Sequence, residues 1–510
     1  MADKFAVLEP AEFASRIPDG ATIALHGSGI YLEADVLYEA IETSFLATGH
    51  PRDLTVLHAV GIGDGQRSGM NRFAHEGMVR RVIGGHWGWS ATMQALAKEN
   101  RIEAYSFPAG AISLLLREIG AGRPGLITRI GLGTFADPRV DGGRCNQAAK
   151  EDLVEVVHFD GLEYLRYKPF KVDVGLVRGT EVDPRGNISL HREPADLDCY
   201  AIAVAAHNSR GQVFAQVEAR RSSRIVPARL GRLPGILIDG VVLAPGARRT
   251  YFPGYDPHMS GEAPDDPAAR PVPLEMPSGM RRIIAERAIK ELGQARSVNF
   301  GFGIPGGIPA LLQRRGITYW GTIEQGIHNG EMLDGPSFGA ARDPDAIIPS
   351  VDQFDFYSGG GIELAFLGMG EMDEAGNVNV SKMGNRLVGP GGFVDITQTA
   401  RKVVFCGAFE AKGLEIDADP SGRLTILHPG SVPKLVKAVE HVTFSGPQAR
   451  ANGQEVIYVT ERAVFRLGAA GVELVEVADG VDVQTDVLDR MEFKPLLPAG
   501  AVPKAKVEMV

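Results

Sequence analysis

Cysteine is scarce in this chain of 510 residues: Cys145, Cys199 and Cys406 stand far apart and form no CxxC pair. That spacing supports neither a disulfide framework nor a zinc knuckle, and leaves three reduced, mostly buried thiols as the expectation. No apolar run reaches about eighteen residues, the length a membrane-crossing helix needs, so no membrane partner is expected. Positive charge is in deficit, with 53 Lys and Arg against 63 Asp and Glu. No basic run or basic-aromatic stripe offers itself to nucleic acid. The first dozen residues, with Glu9 and Glu12, lack both a signal h-region and an Arg-rich transit composition, which reads as a cytoplasmic start. HExxH, GxSxG and GxxxxGK[ST] are missing too, which speaks against zinc hydrolases, serine hydrolases and P-loop proteins.

What the chain has in quantity is glycine (63) and proline (32), spread over short turns with no low-complexity tract. Its length exceeds what one hydrophobic core usually holds, so two domains, or three, are expected. From Glu9 to Arg16 a short helix is predicted, then a buried strand over Ala21–Leu25 closed by Gly27-Ser28-Gly29. A helix from Glu33 to about Leu46 stops at Gly49, and a second strand runs from Leu54 to Val60. Strand, helix, strand in that order implies a right-handed parallel βαβ unit. From Asp256 to Pro273 the sequence is rich in proline and acid and has no periodicity, marking a domain boundary. We therefore expect an N-terminal domain over 1–252, a linker over 253–277 and a C-terminal domain over 278–510. The last opens with a helix capped by Ser278 and a strand over Ser297–Phe300.

The two halves resemble each other. Residues 172–188 match 362–378 at a constant offset of 190, from an apolar strand into the acidic turns Asp183…Gly186-Asn187 and Asp373…Gly376-Asn377. The fold class expected is α/β: two similar open α/β domains of mostly parallel sheet with flanking helices, related by internal duplication. Aligning Leu54-Thr55 with Ile317-Thr318, at an offset of 263, puts Glu324 on Gly61, so one copy alone carries an acid there. The first copy also carries an insertion over about 66–170. Gly65 to Asp183 spans 118 positions where His328 to Asp373 spans 45, and such excess length tends to serve as cover or interface.

Glu324 follows an apolar run, Ile317–Ile323, and precedes Gln325-Gly326, at a strand-to-loop junction of the kind where open α/β sheets place their sites. An exposed loop acid satisfies the same pattern; the sharper reading is a nucleophilic carboxylate. His328, four residues on, is within reach of orienting it. Gly301-Phe302-Gly303-Ile304-Pro305 lies between a strand and the helix Pro309–Arg314, where backbone amides approach an anion closely. Gly301 to Gly306 also spells GxGxxG, but Pro305 and Pro309 delay the helix that a dinucleotide fingerprint wants early. Gly389-Pro390-Gly391-Gly392-Phe393 and Ser358-Gly359-Gly360-Gly361 are further glycine loops, explicable either as wide turns or as close backbone approach to a ligand. Gly84-Gly85-His86-Trp87-Gly88-Trp89 holds two of the three tryptophans. It reads as a packed aromatic lid more readily than as a catalytic histidine.

Taken together these motifs resemble the class I coenzyme A transferases, most closely the single-chain propionate/acetate type. The resemblance runs from about Asp19 to Arg490 and rests on GxGxP at Gly301–Pro305, Glu-x-Gly at Glu324–Gly326, the GGG…D…GN block at Gly359–Asn377 and GxGGF at Gly389–Phe393. Gly110–Arg117 and Gly131–Pro138 carry the N-terminal counterpart. The family relation implies a cytoplasmic enzyme, a homodimer or homotetramer, that moves coenzyme A between acyl-CoA and small carboxylic acids. Coenzyme A would be a substrate, with no permanently bound cofactor and no metal. Glu324 would be the catalytic residue, carrying a glutamyl-CoA thioester. Gly301, Gly303, Gly389, Gly391 and Gly392 would bind coenzyme A, with the amides of Gly303, Gly389 and Gly391 facing the reacting oxygens. The inserted segment would exclude water. Many relatives have Pro-Gln-Gly where this chain has Pro108-Ala109-Gly110, so a side-chain amide donor is missing here. An acyl-CoA hydrolase on the same fold, or a non-catalytic effector-binding protein, remain the alternatives.

Overall fold

A computed structural model describes residues 5–222, 226–248, 254–262, 274–333, 335–384 and 386–508. The linker expected over 253–277 lies partly outside these, at 253 and 263–273, as does the end of the first expected domain, 249–252.

The apolar runs of the first half become parallel strands because helices cover both faces, which removes any need for alternation. Eight strands lie side by side in the order Ala6–Val7, Gly240–Leu243, Gln212–Arg220, Val174–Val182, Thr22–Leu25, Leu54–His58, Val79–Gly84 and Glu103–Ser106, all parallel. The helix predicted from Glu33 runs over Asp35–Thr48 and ends on Gly49 at φ 76°, the left-handed cap that glycine supplies without strain. In the second half a ten-stranded sheet has at its centre the parallel run Glu455–Val459, Lys402–Cys406, Leu364–Gly368, Ser297–Phe300 and Trp320–Ile323.

The duplication is visible in register. Ile23 pairs with Val174 and Val56; Val298 pairs with Leu364 and Gly321. Since Val174 and Leu364 are 190 apart, Val56 corresponds to Gly321, and the offset for this strand is 321 − 56 = 265. The alignment by letters at 263 was two residues out, and Glu324 falls on Ala59, not Gly61. Single apolar strands slide past one another in sequence, whereas ladder hydrogen bonds fix them. The two acidic turns match bond for bond. Asp183 accepts the amides of Arg185 (2.8 Å) and Asn187 (3.0 Å), and Asp373 those of Ala375 (3.0 Å) and Asn377 (3.0 Å). Gly186 and Gly376 sit at φ 84° and 81°. Each asparagine then accepts one more amide, that of Gly235 or Gly446, at 2.9 Å.

The halves part company after the strand that matters. Beyond Leu54–His58 the first sheet continues with two more parallel strands, both supplied by the segment read as an insertion. Beyond Trp320–Ile323 the second sheet turns back at once into the antiparallel strand Ile327–His328. That reversal places Glu324 at the tip of a tight hairpin.

Candidate active site

Glu324, Gln325 and Gly326 form the three-residue loop of this hairpin, closed by the Ile323–Ile327 pair. Loops of this length need a left-handed residue, and Gly326 provides it at φ 89°. There is no room for anything else: a Cβ on Gly326 would lie 1.9 Å from the carbonyl oxygen of Ile348, whose own amide donates to the Gly326 carbonyl at 2.8 Å. Gly326→Ala is therefore expected to break the hairpin. It combines a left-handed non-glycine residue, about 1–2 kcal/mol, with a backbone clash. The check is a lower melting temperature or loss of soluble protein; an unchanged melt would contradict this geometry.

The hairpin aims Glu324 into a cavity of about 580 Å³ between the two halves, a size typical of small-molecule sites. Its walls include Ser28, Gly61, His86 and Trp89 from the first half and Phe300, Phe338, Leu367 and Met369 from the second. Of the residues singled out from sequence, Glu324, Gly301, Gly389, Gly391 and Gly392 all line it. Gly303 stands outside that lining, at φ 86° with open space where a Cβ would be. The loop Ser358–Gly361 is not part of the wall either; Ser297 Oγ donates to the Gly361 carbonyl at 2.6 Å, which gives it a structural place. His328 does not orient Glu324. Its Nδ1 accepts from Trp320 Nε1 at 2.9 Å, on the strand beside it.

Gly392 makes the closest approach to the acid. A Cβ there would lie 1.9 Å from Glu324 Oε2, so only glycine lets the backbone lie against the carboxyl group. Burial pushes the Glu324 pKa up to about 7, opposed by the backbone amide of Gly392 and the side-chain amide of Gln325. Gln325 Nε2 reaches Glu324 Oε1 at 3.5 Å and Ser28 Oγ at 3.2 Å, tying the acid to the first half of the chain.

The expected oxyanion donors need correction. The amide of Gly391 donates to the Gly85 carbonyl (2.8 Å) and that of Gly389 to the Ser381 carbonyl (2.9 Å), so both are spent on holding the loop. The position where the resemblance led us to expect glutamine is filled by Ala109, fully buried, whose N–H donates to the Gly391 carbonyl at 2.9 Å and whose methyl group offers no donor. Next to it the Gly110 amide donates to Asp395 Oδ2 at 3.1 Å.

Asp395 was not singled out from sequence, although it stands two residues beyond the Gly389–Phe393 loop. It is fully buried, its Oδ1 has no hydrogen-bond partner among the described residues, and burial together with the nearby Glu324 charge raises its pKa to about 8. A lone aspartate after GxGGF gives no sign of burial until the fold places it under the first half. Ser28 and Asn299 were also passed over. Asn299 Nδ2 donates to the Thr322 carbonyl (2.9 Å) and to Tyr357 Oη (3.3 Å), bracing the strand that leads to Glu324. Among the described residues no cluster of metal-ligating side chains is present, and no helix is long and apolar enough to cross a membrane.

Comparison with known proteins gives the family. A family model for coenzyme A transferase matches residues 7–244. The chain is 41% identical over 500 residues to a caffeate CoA-transferase of Acetobacterium woodii, covering 96% of this chain and 94% of that protein. The chain belongs to the coenzyme A transferase family. It is also 38% identical to the acetate CoA-transferase YdiF of Escherichia coli K12, over 96% of this chain and 92% of the other. A crystal structure of the acyl-CoA transferase YdiF from E. coli O157:H7, a thioester complex with CoA, superposes with a TM-score of 0.92 at 36% identity, covering 98% of this chain and 95% of that one. As a coenzyme A transferase, this chain has coenzyme A and carboxylic acids as its substrate chemistry.

Proposed function

We propose that this enzyme transfers coenzyme A reversibly between an acyl-CoA and a carboxylic acid through a covalent glutamyl-CoA thioester on Glu324. The observation that carries the reading is a single carboxyl group, raised to a pKa of about 7 by burial, at the tip of a hairpin in an apolar cavity large enough for an acyl group and a thiol arm. A carboxylate shielded from water is a stronger nucleophile than a solvated one.

In the first step an oxygen of ionised Glu324 bonds to the acyl carbonyl carbon, the carbon–sulfur bond breaks, and coenzyme A leaves as thiolate with the electron pair. The product is a mixed anhydride. The thiolate then attacks the glutamyl carbonyl carbon, the first acid departs as carboxylate, and a glutamyl-CoA thioester remains. An acceptor carboxylate reverses both steps. No ATP is consumed, because the acyl bond energy is kept throughout.

The acceptor range we propose extends beyond two-carbon acids. Phe300, Phe302, Phe338, Trp89 and Phe393 surround it, and flat apolar surfaces of this kind suit arylacrylate chains, the class to which the caffeate of the A. woodii relative belongs, as well as acetate, propionate and butyrate.

Incubation with an acyl-CoA alone is expected to leave an adduct of about 750 Da, coenzyme A less water, on the peptide that contains Glu324. An adduct elsewhere, or none, would overturn the proposal. Turnover measured with and without an added acid separates transfer from hydrolysis, and a panel from acetate to caffeate ranks the acceptors. A hydrolase would turn over at the same rate in both conditions.

A further inference from the structure

The cavity contains several hydrogen-bonding groups, and most are already committed. Asn299 Nδ2 is spent on Thr322 and Tyr357, Gln325 Nε2 on Ser28, the amide of Gly389 on the Ser381 carbonyl and that of Gly391 on the Gly85 carbonyl of the first half. The amide of Gly392 faces Glu324 itself. Among the described lining residues this leaves four side-chain donors: the hydroxyl of Ser28, whose oxygen accepts from Gln325, and those on His86, Trp89 and Arg386. Arg386 is exposed, on the short strand Arg386–Leu387. Both aromatic rings pack on Gly61, where a Cβ would meet Trp89 Cδ1, the atom beside its N–H, at 2.6 Å and His86 Nδ1, the nitrogen that is not the candidate donor, at 2.5 Å.

His86 is held differently. It follows the strand Val79–Gly84, and the backbone around it is stitched to the glycine loop that reaches Glu324. Gly85 accepts from Gly391 at 2.8 Å, Trp87 donates to Val388 at 2.6 Å, and a Cβ on Gly389 would lie 2.9 Å from His86 Cα. Within this frame the Gly88 N–H donates to His86 Nδ1 at 3.2 Å. A ring nitrogen that accepts carries no proton, so in the neutral ring the proton sits on Nε2.

Resting on the Glu324 reading, we propose that His86 Nε2–H is the side-chain donor that holds the substrate's acyl oxygen, the atom that is a carbonyl in the acyl-CoA and a carboxylate oxygen in the free acid. The ring stays neutral: burial, with His58 and Arg386 nearby, takes its pKa down to about 4. A neutral donor suits an oxygen that alternates between uncharged and charged forms, because it aids the charge that develops during attack without trapping the acid product. It also supplies a side-chain donor that Ala109 lacks.

The test compares His86→Gln, whose amide nitrogen reaches about where Nε2 stood, with His86→Asn, whose shorter side chain does not. Adduct formation from acyl-CoA alone is timed by mass spectrometry, with melting temperature and affinity for free coenzyme A measured alongside. His86→Asn is expected to form the adduct about 10²–10³-fold more slowly, with His86→Gln within about tenfold of the parent and both variants melting and binding coenzyme A alike. Equal rates in the two variants, or a loss in Trp89→Phe as large as in His86→Asn, would overturn the assignment of His86. Absence of any adduct on the parent enzyme would instead remove the Glu324 reading beneath it.

Discussion

Glu324→Gln is expected to abolish transfer and yet to stabilise the protein at alkaline pH. An amide cannot attack a thioester or carry coenzyme A, so the loss should reach at least about 10⁴-fold, the scale on which removal of a covalent nucleophile is felt. The gain in stability follows from the raised pKa. In the folded protein the acid titrates at about 7, against an ordinary value of 4.5. A group whose folded pKa lies above its unfolded one contributes stability that is complete below the unfolded pKa and is lost as pH rises through the folded one. Between about pH 4.5 and 7 the parent protein therefore loses on the order of 3 kcal/mol on ionising this group. Glutamine, which never ionises, avoids that loss. Melting curves from pH 4 to pH 8 should show the variant and the parent together at the acid end and the variant higher at the alkaline end. A Glu324→Gln protein that melts below the parent at pH 8, or one that still transfers coenzyme A, would contradict the geometry of the site.

Gly392→Ala should be the second large effect, and it isolates position from chemistry. Gly392 has φ −83° and ψ 6°, which alanine adopts freely, and it precedes the helix Phe393–Thr399. The backbone thus accepts the change. The added methyl group would stand 1.9 Å from Glu324 Oε2 and 2.9 Å from its Cδ, so the carboxyl group has to move by more than about 1 Å to restore van der Waals contact. A misplacement of that size costs about 10²-fold in a reaction that depends on attack geometry. The amide hydrogen bond to the carboxylate is strained at the same time. We expect near-parental folding by circular dichroism, a kcat about 10² lower and a smaller change in KM. Full activity in Gly392→Ala would show that the carboxyl group is free to sit elsewhere during turnover.

The sequence was legible where the physics is local. Asp183 and Asp373 each precede Gly-Asn by the same interval, and a turn built on one carboxylate accepting two following amides is determined by those few residues. The helix stop at Gly49 is legible for the same reason. Glu324 stood out because an acid at the end of an apolar run, followed by glycine, lies where open α/β sheets place their sites, although an exposed loop acid fits the same letters. What could not be read was whatever depends on two distant segments meeting. The partner chosen by the Gly391 amide is Gly85, some three hundred positions away, and nothing local to the glycine loop announces that this donor is taken. Asp395 looks like any helix-start acid until Gly110 is laid on it. His86 reads as part of a packed aromatic segment, and its place in the cavity wall appears only when that segment docks on residues 388–391. The offset error at Gly61 has the same origin, since the register of a short apolar strand is set by its neighbours and not by its letters.

The burial of Glu324 also bears on how loaded the enzyme would be between turnovers. A carboxylate in water and a thioester differ little from the corresponding acid and acyl-CoA of the substrate, so exchange between them should start close to balance. Keeping the charged form away from water raises only the unloaded side, by the same margin that moves its pKa to about 7. With Glu324 as the carrier, the equilibrium is tilted toward enzyme already holding coenzyme A by on the order of 10²-fold. An arriving acid would then meet an intermediary already loaded with coenzyme A.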